Sequence, residues 1–269
     1  MKIGNREFDV ESRTYIMGIL NVTPDSFSDG GKYQRLDAAL NHAEEMVREG
    51  ADIIDVGGES TRPGHTEISD EEEIARVVPV IEALKARIDV PLSVDTYKSA
   101  VAEAAIAAGA DLLNDIWGFR RDERMAVLAA QSGLPVCLMH NRDTAEYRDY
   151  HREVIEDLRE SVAIARRAGV TEDQIILDPG VGFGKTYEQN LEILNHLEWL
   201  HELGYPILLG TSRKSVIGLT LGLPPEERVE GTIATSVLGV MKGCAFIRVH
   251  DVEANRRAVR MTEKILGKI

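Results

Sequence analysis

The sequence has little of what a disulfide-stabilised, secreted or membrane-spanning protein needs. Only two of its 269 residues are cysteines, Cys137 and Cys244. Each lies in or just before an apolar run, where a free thiol behaves as a small hydrophobic side chain, so we expect no disulfide framework. The start of the chain lacks a basic and apolar signal region, and no apolar run approaches the roughly 20 residues that span a bilayer. These absences predict a cytoplasmic protein.

Positive charge is also scarce. The chain has 31 Lys and Arg against 45 Asp and Glu, a formal net charge of -14. Such a surface repels nucleic acids and anionic membranes unless a local basic cluster reverses the field. We therefore expect neither partner, and an anionic ligand must be bound at a local site.

Short β-type runs alternate with helical patterns along the whole chain, which is typical of a parallel sheet with crossover helices. Eight helical patterns accompany eight strands, and this count favours a closed (β/α)₈ TIM barrel of α/β class, with residues 1–269 as one domain. Residues 2–10, with Gly4-Asn5 at their centre, predict a short N-terminal β-hairpin that closes the lower end of the barrel. The predicted strands cover residues 15–20, 53–56, 92–94, 112–114, 136–139, 175–177, 207–209 and 246–249, and the last six helices cover residues 100–108, 123–131, 150–168, 187–203, 226–241 and 254–265.

Polar side chains follow all eight predicted strands. In barrels of this kind the active site forms at the C-terminal ends of the strands. A single Asp, Asn or Ser there is often only a helix N-cap, but a complete set around the barrel indicates a binding site. The residues are Asn21, Asp55, Asp95, Asn114 with Asp115, His140 with Asn141, Asp178, residues 212–214 and residues 248–251.

Two long loops after the first two strands are the most distinctive segments. They read Asn21-Val-Thr-Pro-Asp-Ser-Phe-Ser-Asp-Gly-Gly31 and Asp55-Val-Gly-Gly-Glu-Ser-Thr-Arg-Pro-Gly64. Their glycines and small residues could serve as hinges, while Phe27 and Arg62 could close over a ligand and exclude water.

Together with five further motifs, these loops closely resemble the dihydropteroate synthase family from Met17 to Asp251, in order and in spacing. The other motifs are Ser93-Val-Asp-Thr96, Leu113-Asn-Asp115, Leu177-Asp-Pro-Gly-Val-Gly-Phe-Gly184, Gly210-Thr-Ser-Arg-Lys-Ser215 and Ile247-Arg-Val-His250. One motif departs from the family: many members have Met-His-Met-Gln-Gly after strand 5, whereas this chain has Met139-His-Asn-Arg-Asp143.

The resemblance implies a transferase of folate biosynthesis that joins (7,8-dihydropterin-6-yl)methyl diphosphate to p-aminobenzoate, releases pyrophosphate and is inhibited by sulfonamides. It implies that C–O cleavage is dissociative, that Mg²⁺ is the cofactor and that the enzyme is a homodimer. The residues implied as catalytic are Asp95, Asp178, Lys214 and Arg248.

The resemblance also divides the strand-end residues among three subsites. The pterin pocket would contain Asp95, Asn114, Met139, Asp178, Phe183, Lys214 and Arg248. The diphosphate would meet Asn21, Arg248 and His250, and Asn21 would also bind the metal. The p-aminobenzoate pocket would contain Phe27, Thr61, Arg62, Pro63, Lys214 and Ser215.

Other readings of these motifs are weaker. The glycine-rich segment after Asp178 has Pro179 where a phosphate-binding loop needs glycine, and Lys185 where a dinucleotide fingerprint needs glycine. A Schiff-base aldolase could use Lys214 as its nucleophile. A pterin-dependent methyltransferase acting with a corrinoid protein would have a similar pterin pocket but would lack the two closing loops. A non-catalytic pterin-binding protein would not need all of the charged residues.

Overall fold

Eight parallel strands form a barrel in the computed structural model of the chain, which describes residues 1–23, 32–60 and 66–269. A two-stranded antiparallel hairpin precedes the barrel and consists of β1 (Lys2–Ile3) and β2 (Arg6–Glu7). The barrel strands are β3 (Tyr15–Asn21), β4 (Ile53–Gly57), β5 (Leu92–Asp95), β6 (Leu112–Asp115), β7 (Val136–Met139), β8 (Ile175–Asp178), β9 (Leu208–Gly210) and β10 (Phe246–Val249).

The strands pair in the order β8-β7-β6-β5-β4-β3-β10-β9. Between the two ends of this sheet, a parallel bridge joins Leu177 to Ile207, and the Leu177 amide donates to the carbonyl of Pro206 over 2.9 Å. The sheet is therefore a nearly closed barrel, and the predicted (β/α)₈ fold is confirmed.

Helices follow the strands and cover the outside of the barrel. The α-helices in the described part of the chain are α1 (Lys32–Glu49), α2 (Asp70–Lys85), α3 (Ser99–Ala108), α4 (Arg124–Ser132), α5 (Tyr150–Ala168), α6 (Tyr187–Asn195), α7 (Ser215–Leu221), α8 (Val229–Met241) and α9 (Val252–Ile265). Within the described ranges, none of them combines the length and apolar character that a membrane crossing requires.

Two predicted helices were too long at one end. The pattern over residues 187–203 breaks at His196, after which Leu197–Leu203 forms a 3₁₀-helix. Residues 226–241 likewise begin with a separate 3₁₀ turn, Pro225–Glu227, before α8. The short helix α7 was absent from the predicted set.

The predicted hairpin closes the lower end of the barrel. Ile3 and Phe8 are buried in one cluster with apolar residues from seven of the barrel strands. Phe8 also packs edge-on against Tyr15, with 4.8 Å between ring centroids. The barrel residues of this cluster are Met17, Ile53, Leu112, Cys137, Ile176, Leu208 and Phe246, together with Ala245 just before β10.

Shortening the buried side chain of Ile3 should therefore leave a cavity at the lower end of the barrel. Ile3 is fully buried, whereas Ile265 at the end of α9 is 71% exposed, so the same substitution at both sites gives a matched pair. We expect Ile3→Ala to lower the free energy of unfolding by about 2–5 kcal/mol and Ile265→Ala by less than about 0.5 kcal/mol. Urea unfolding followed by circular dichroism measures both, and equal small losses would show that the hairpin does not seal the core.

Candidate active site

The C-terminal end of the barrel, here called its mouth, is lined by polar side chains. They occupy the next inward-facing positions above the apolar cluster that contains Ile3 and Phe8, here called the floor. Alternate residues of a barrel strand face the interior, so a polar residue two places after a floor residue lies on the same face. Five strands carry such a pair, in which the first residue is apolar and the second polar or small. The pairs are Ile53 and Asp55, Leu112 and Asn114, Ile176 and Asp178, Leu208 and Gly210, and Phe246 and Arg248.

Arg248 is the centre of this polar layer. Its Nε donates to Oδ2 of Asp55 over 2.6 Å, and one terminal nitrogen donates to Oδ2 of Asp95 over 2.7 Å. The Asn114 amide nitrogen donates to the same Asp55 oxygen over 3.1 Å. One guanidinium therefore joins strands β4, β5 and β10, and the amide adds β6.

Burial sets the ionisation of this layer. It raises the pKa of Asp95 to about 7, against the attraction of Arg248. Burial alone would lower the pKa of Arg248, but the neighbouring Asp55 and Asp95 carboxylates reverse the effect and raise it. The guanidinium thus stays charged, while Asp95 can change its protonation state near neutral pH.

Asp178 and Lys214 form the other side of the mouth. Oδ1 of Asp178 accepts from the Gly180 amide over 2.6 Å, and Nζ of Lys214 donates to the Val181 carbonyl over 2.5 Å. Burial lowers the pKa of Lys214 to about 8, although Asp178 opposes the shift, and burial likewise raises the pKa of Asp178 against Lys214. The two groups favour each other's charged forms in a site that disfavours charge.

An apolar wall completes the predicted pterin pocket. Met139 and Phe183 belong to one small cluster with Tyr97, Ile116 and Trp117. The Phe183 ring also faces Lys214, whose Nζ lies 4.8 Å from the ring centroid. The predicted pterin residues therefore lie in two groups, each with one carboxylate. Asp95, Asn114 and Arg248 form the first group, and the second contains Met139, Asp178, Phe183 and Lys214.

Two glycines keep the mouth open. A Cβ at Gly210 would lie 3.8 Å from Oδ2 of Asp178 and 3.8 Å from Cβ of Arg248. A Cβ at Gly57 would lie 3.6 Å from Oδ1 of Asn21 and 3.8 Å from Oδ2 of Asp95. Asn21 therefore lies on the Asp95 side of the site.

His250 is held by the neighbouring strand end. Its Nδ1 lies 2.9 Å from Oγ of Ser212, and its backbone amide donates to the same hydroxyl over 3.1 Å. Of the predicted p-aminobenzoate residues, Lys214 is described above, and Ser215 is exposed at the first position of α7. Phe27, Thr61, Arg62 and Pro63 lie outside the described residues.

Sequence reasoning missed the roles of two residues near this site. Asp55 was identified as a strand-end residue but was given no role, although its inward position two residues after Ile53 could have shown it. Lys185 was considered only as a failed motif position, and no local pattern indicates that its Nζ lies 2.7 Å from Nδ1 of His140.

The described residues could supply only a small part of the ligand shell of a magnesium ion. Within residues 1–23, 32–60 and 66–269, no group of three or more His, Cys, Asp or Glu side chains could hold a metal. Oδ1 of Asn21 is one oxygen donor at the edge of the mouth. Mg²⁺ often takes one or two protein ligands and completes its shell with water and substrate phosphates, and Asn21 fits that pattern.

Comparison with known proteins first defines the class. A family model described as pterin-binding enzyme matches residues 17–250, a range that begins in β3 and ends just after β10. This match covers every barrel strand apart from the first two residues of β3.

Individual relatives narrow the class further. The dihydropteroate synthase of Clostridium beijerinckii is 62% identical over 269 residues, which is 100% of both chains. The crystal structure of the Clostridium difficile dihydropteroate synthase in the presence of pteroic acid has a TM-score of 0.94 and 54% identity, over 96% of this chain and 99% of that one. The chain therefore belongs to the dihydropteroate synthase family, whose members act in folate biosynthesis.

Two further solved structures carry other ligands. The Yersinia pestis dihydropteroate synthase in a sulfonamide drug complex has a TM-score of 0.93 and 44% identity, over 99% of both chains. The Xanthomonas albilineans dihydropteroate synthase with 4-aminobenzoic acid has a TM-score of 0.91 and 45% identity, over 94% of this chain and 93% of that one.

The raised pKa of Asp95 predicts a pH-dependent cost to stability. An unfolded Asp titrates near pH 4, and in the folded protein Asp95 titrates near 7. The folded state therefore binds the extra proton between these values, so the contribution of this group to stability falls as pH rises from about 4 to about 7. Asp95→Asn removes the titration, and the melting temperature of the variant minus that of the parent should increase between pH 5 and pH 8.

Thermal melts across this pH range measure the difference. Asp89→Asn is the control, because the Asp89 side chain is 85% exposed and the substitution should produce no comparable trend. A melting difference that stays constant for Asp95→Asn would contradict the assigned titration.

Proposed function

We propose that the mouth of the barrel condenses (7,8-dihydropterin-6-yl)methyl diphosphate with p-aminobenzoate to give 7,8-dihydropteroate and pyrophosphate. The observation that carries the proposal is the layer of buried Asp95, Asn114 and Asp178 around the partly buried Arg248, in a chain of the dihydropteroate synthase family. The direct test is chromatographic detection of dihydropteroate from the two substrates with Mg²⁺. Consumption of the pterin diphosphate without coupling to the amine would refute the proposed condensation.

Recognition of the pterin would rest on Asp178, Asn114 and Lys214. The amino-pyrimidinone edge of a pterin presents N–H donors beside acceptors, which a carboxylate and an amide complement. The hydrogen bond from Asn114 to Asp55 fixes which end of the amide faces Asp55. Asp178 would accept from the exocyclic amine and N3–H, while Lys214 would donate to the carbonyl oxygen and N5.

Asp95 would face the reduced ring. Its Oδ1 is buried and receives no hydrogen bond from the described residues. Buried polar atoms without a partner are uncommon in native proteins and point to a bound ligand or water. Met139 and Phe183 would line the apolar part of the same pocket.

The chemistry would be a dissociative cleavage of the C–O bond at the pterin methylene. Positive charge develops on the ring as negative charge develops on the diphosphate, and preorganised opposite charges lower the barrier to such a step. Asp95 and Asp178 would stabilise the cationic ring, while Arg248 and His250 would meet the diphosphate. The amine of p-aminobenzoate would then form a C–N bond to the methylene carbon and lose one proton, and the cleaved diphosphate would leave as pyrophosphate.

Asn21 would hold a magnesium ion against the diphosphate. A bound Mg²⁺ supplies a Lewis acid that neutralises charge on the leaving group. The position of the Asn21 carboxamide oxygen beside Gly57 and Asp95 supports this assignment. Asn21 would supply one oxygen ligand to the ion, and water and phosphate oxygens of the substrate would complete its shell.

The second substrate would bind where the mouth meets the two long loops. Phe27, Pro63 and the aliphatic part of Lys214 would flank its ring, Ser215 would meet its carboxylate, and Thr61 and Arg62 would help to close the pocket. The relatives solved with 4-aminobenzoic acid and with a sulfonamide drug support this use of the site and the expectation of sulfonamide inhibition.

We further propose a homodimer formed through the outer helices. Met241 of α8, Met261 of α9 and Ile265 of α9 are 63%, 62% and 71% exposed. Burying such side chains against a second copy would remove apolar surface from water.

Asp178→Asn and Lys214→Met should each weaken pterin binding severely without unfolding the barrel. Each substitution removes one of two opposite charges that favour each other, and losing a charged partner at such a site costs about 1–3 kcal/mol or more, so affinity should fall at least about fivefold. Isothermal calorimetry with pteroic acid measures the loss, and Asp89→Asn provides an exposed control. Parent-like affinity in folded variants would remove both residues from the pocket.

Binding should also be ordered. If diphosphate and Mg²⁺ organise the long loops, p-aminobenzoate should bind detectably only when pterin, pyrophosphate and Mg²⁺ are all present. Equilibrium dialysis with labelled p-aminobenzoate, omitting one component at a time, measures this dependence. Tight aromatic binding to the bare enzyme would contradict ordered assembly.

A further inference from the structure

Lys185 lies at the end of the loop between β8 and α6, and all of its polar contacts in the described part of the chain are with the protein interior. Its Nζ donates to the carbonyl of Gly180 over 2.9 Å and to the carbonyl of Phe183 over 3.0 Å. A third contact joins Nζ to Nδ1 of His140 over 2.7 Å. Burial lowers the pKa of Lys185 well below its usual value, but the three acceptors around Nζ match the three N–H donors of an ammonium group.

The third contact continues to a partly buried carboxylate. Nε2 of His140 lies 3.0 Å from Oδ2 of Asp157, which also accepts from Nε of Arg142 over 2.6 Å. Since Asp157 can only accept here, the imidazole carries its proton on Nε2 and Nδ1 accepts from Lys185. Burial lowers the pKa of His140 to about 3, and Lys185 shifts it in the same direction, which agrees with a neutral ring.

The segment from Gly180 to Gly184, here called the β8 loop, needs this support because its backbone is unusual. Gly180, Gly182 and Gly184 all have positive φ angles, of 68°, 88° and 53°. A Cβ at Gly180 would lie 1.8 Å from the His140 carbonyl oxygen, so the β8 loop packs directly onto the His140 backbone. Nζ of Lys185 links the carbonyls of Gly180 and Phe183 in this loop to the His140 ring.

The β8 loop in turn holds groups of the candidate pocket. The Val181 carbonyl accepts from Nζ of Lys214, and the Phe183 ring faces that same ammonium. The Gly180 amide donates to Asp178. A change in the path of this loop would therefore move Lys214, Phe183 and the hydrogen bond to Asp178 together.

We propose that Lys185 is a positioning residue for pterin binding, which together with His140 and Asp157 fixes the β8 loop in the shape that presents Lys214, Phe183 and Asp178 to the ligand. The inference rests on the proposed function of that pocket. In this proposal His140 supports the β8 loop through Lys185 and does not contact the substrate.

The test is binding of pteroic acid to Lys185→Met, measured by calorimetry well below the melting temperature so that the protein stays folded. Methionine keeps much of the side-chain volume and removes all three donors. We expect affinity about 10- to 100-fold below that of the parent, while Lys242→Met, which removes a lysine paired with Glu198 at the surface, stays near the parent. A role limited to stability would lower the melting temperature and leave the affinity of the folded protein unchanged, and that result would overturn the proposal.

A double substitution tests whether Lys185 and His140 act as one unit. If they do, His140→Gln should weaken pteroic acid binding on its own, and adding it to Lys185→Met should cost less than about threefold more, because coupled residues are not additive. If the losses of binding free energy in the two single variants add fully in the double variant, the two residues act independently and the proposed unit is contradicted.

If Lys185→Met fails to fold, His140→Gln alone tests the proposed positioning role. It should weaken pteroic acid at least about fivefold, since a buried hydrogen-bonded partner is lost, and parent-like affinity would overturn the proposal. Failure of the parent itself to bind pteroic acid would instead refute the proposed function.

Discussion

One guanidinium between two buried carboxylates organises the mouth of the barrel. Arg248 lies on β10, and its partners Asp55 and Asp95 lie on β4 and β5, so the ion pairs tie together strands that are distant in sequence. Removing a single member of such a group leaves an uncompensated buried charge, which typically destabilises a protein by about 3–5 kcal/mol. The polar layer therefore behaves as a unit, and the position of each carboxylate depends on the arginine.

The rest of the barrel supplies the conditions for this unit. Below the polar layer, the apolar floor and the hairpin residues Ile3 and Phe8 exclude water from the interior. Low polarity strengthens the attraction between opposite charges and raises the cost of any unpaired charge. Burial likewise lowers the pKa of Lys214 to about 8. The same environment raises the cost of an unpaired buried polar atom such as Oδ1 of Asp95, so it favours a ligand that can satisfy such an atom.

Much of this arrangement could be predicted from the sequence. Strands buried on both faces appear as short continuous apolar runs, so all eight barrel strands were located. Helix continuity was harder. Leu194, Leu197, Leu200 and Leu203 recur every three residues, a spacing that fits the three residues per turn of a 3₁₀-helix, and the structure has a 3₁₀-helix from Leu197. The predicted α-helix over residues 187–203 was therefore wrong in its second half.

The partners inside the site could not be read from local patterns. Arg248 and Asp55 are 193 residues apart, and their pairing follows only from the register in which the barrel closes. The contact between Lys185 and His140 spans 45 residues and depends on a glycine loop packed against the backbone just after β7. Residue types at strand ends indicated a site, whereas its hydrogen bonds required the three-dimensional fold.

Binding of pteroic acid to Asp55→Asn tests the central claim most directly, because Asp55 is assigned no substrate contact and can act only through Arg248 and Asn114. The substitution keeps the size of the side chain and removes its charge, so loss of affinity reports on the contacts of Asp55 with Arg248 and Asn114. We predict a folded variant that binds pteroic acid at least about tenfold more weakly than the parent. A folded variant with parent-like affinity would contradict the claim that the shared guanidinium organises the site.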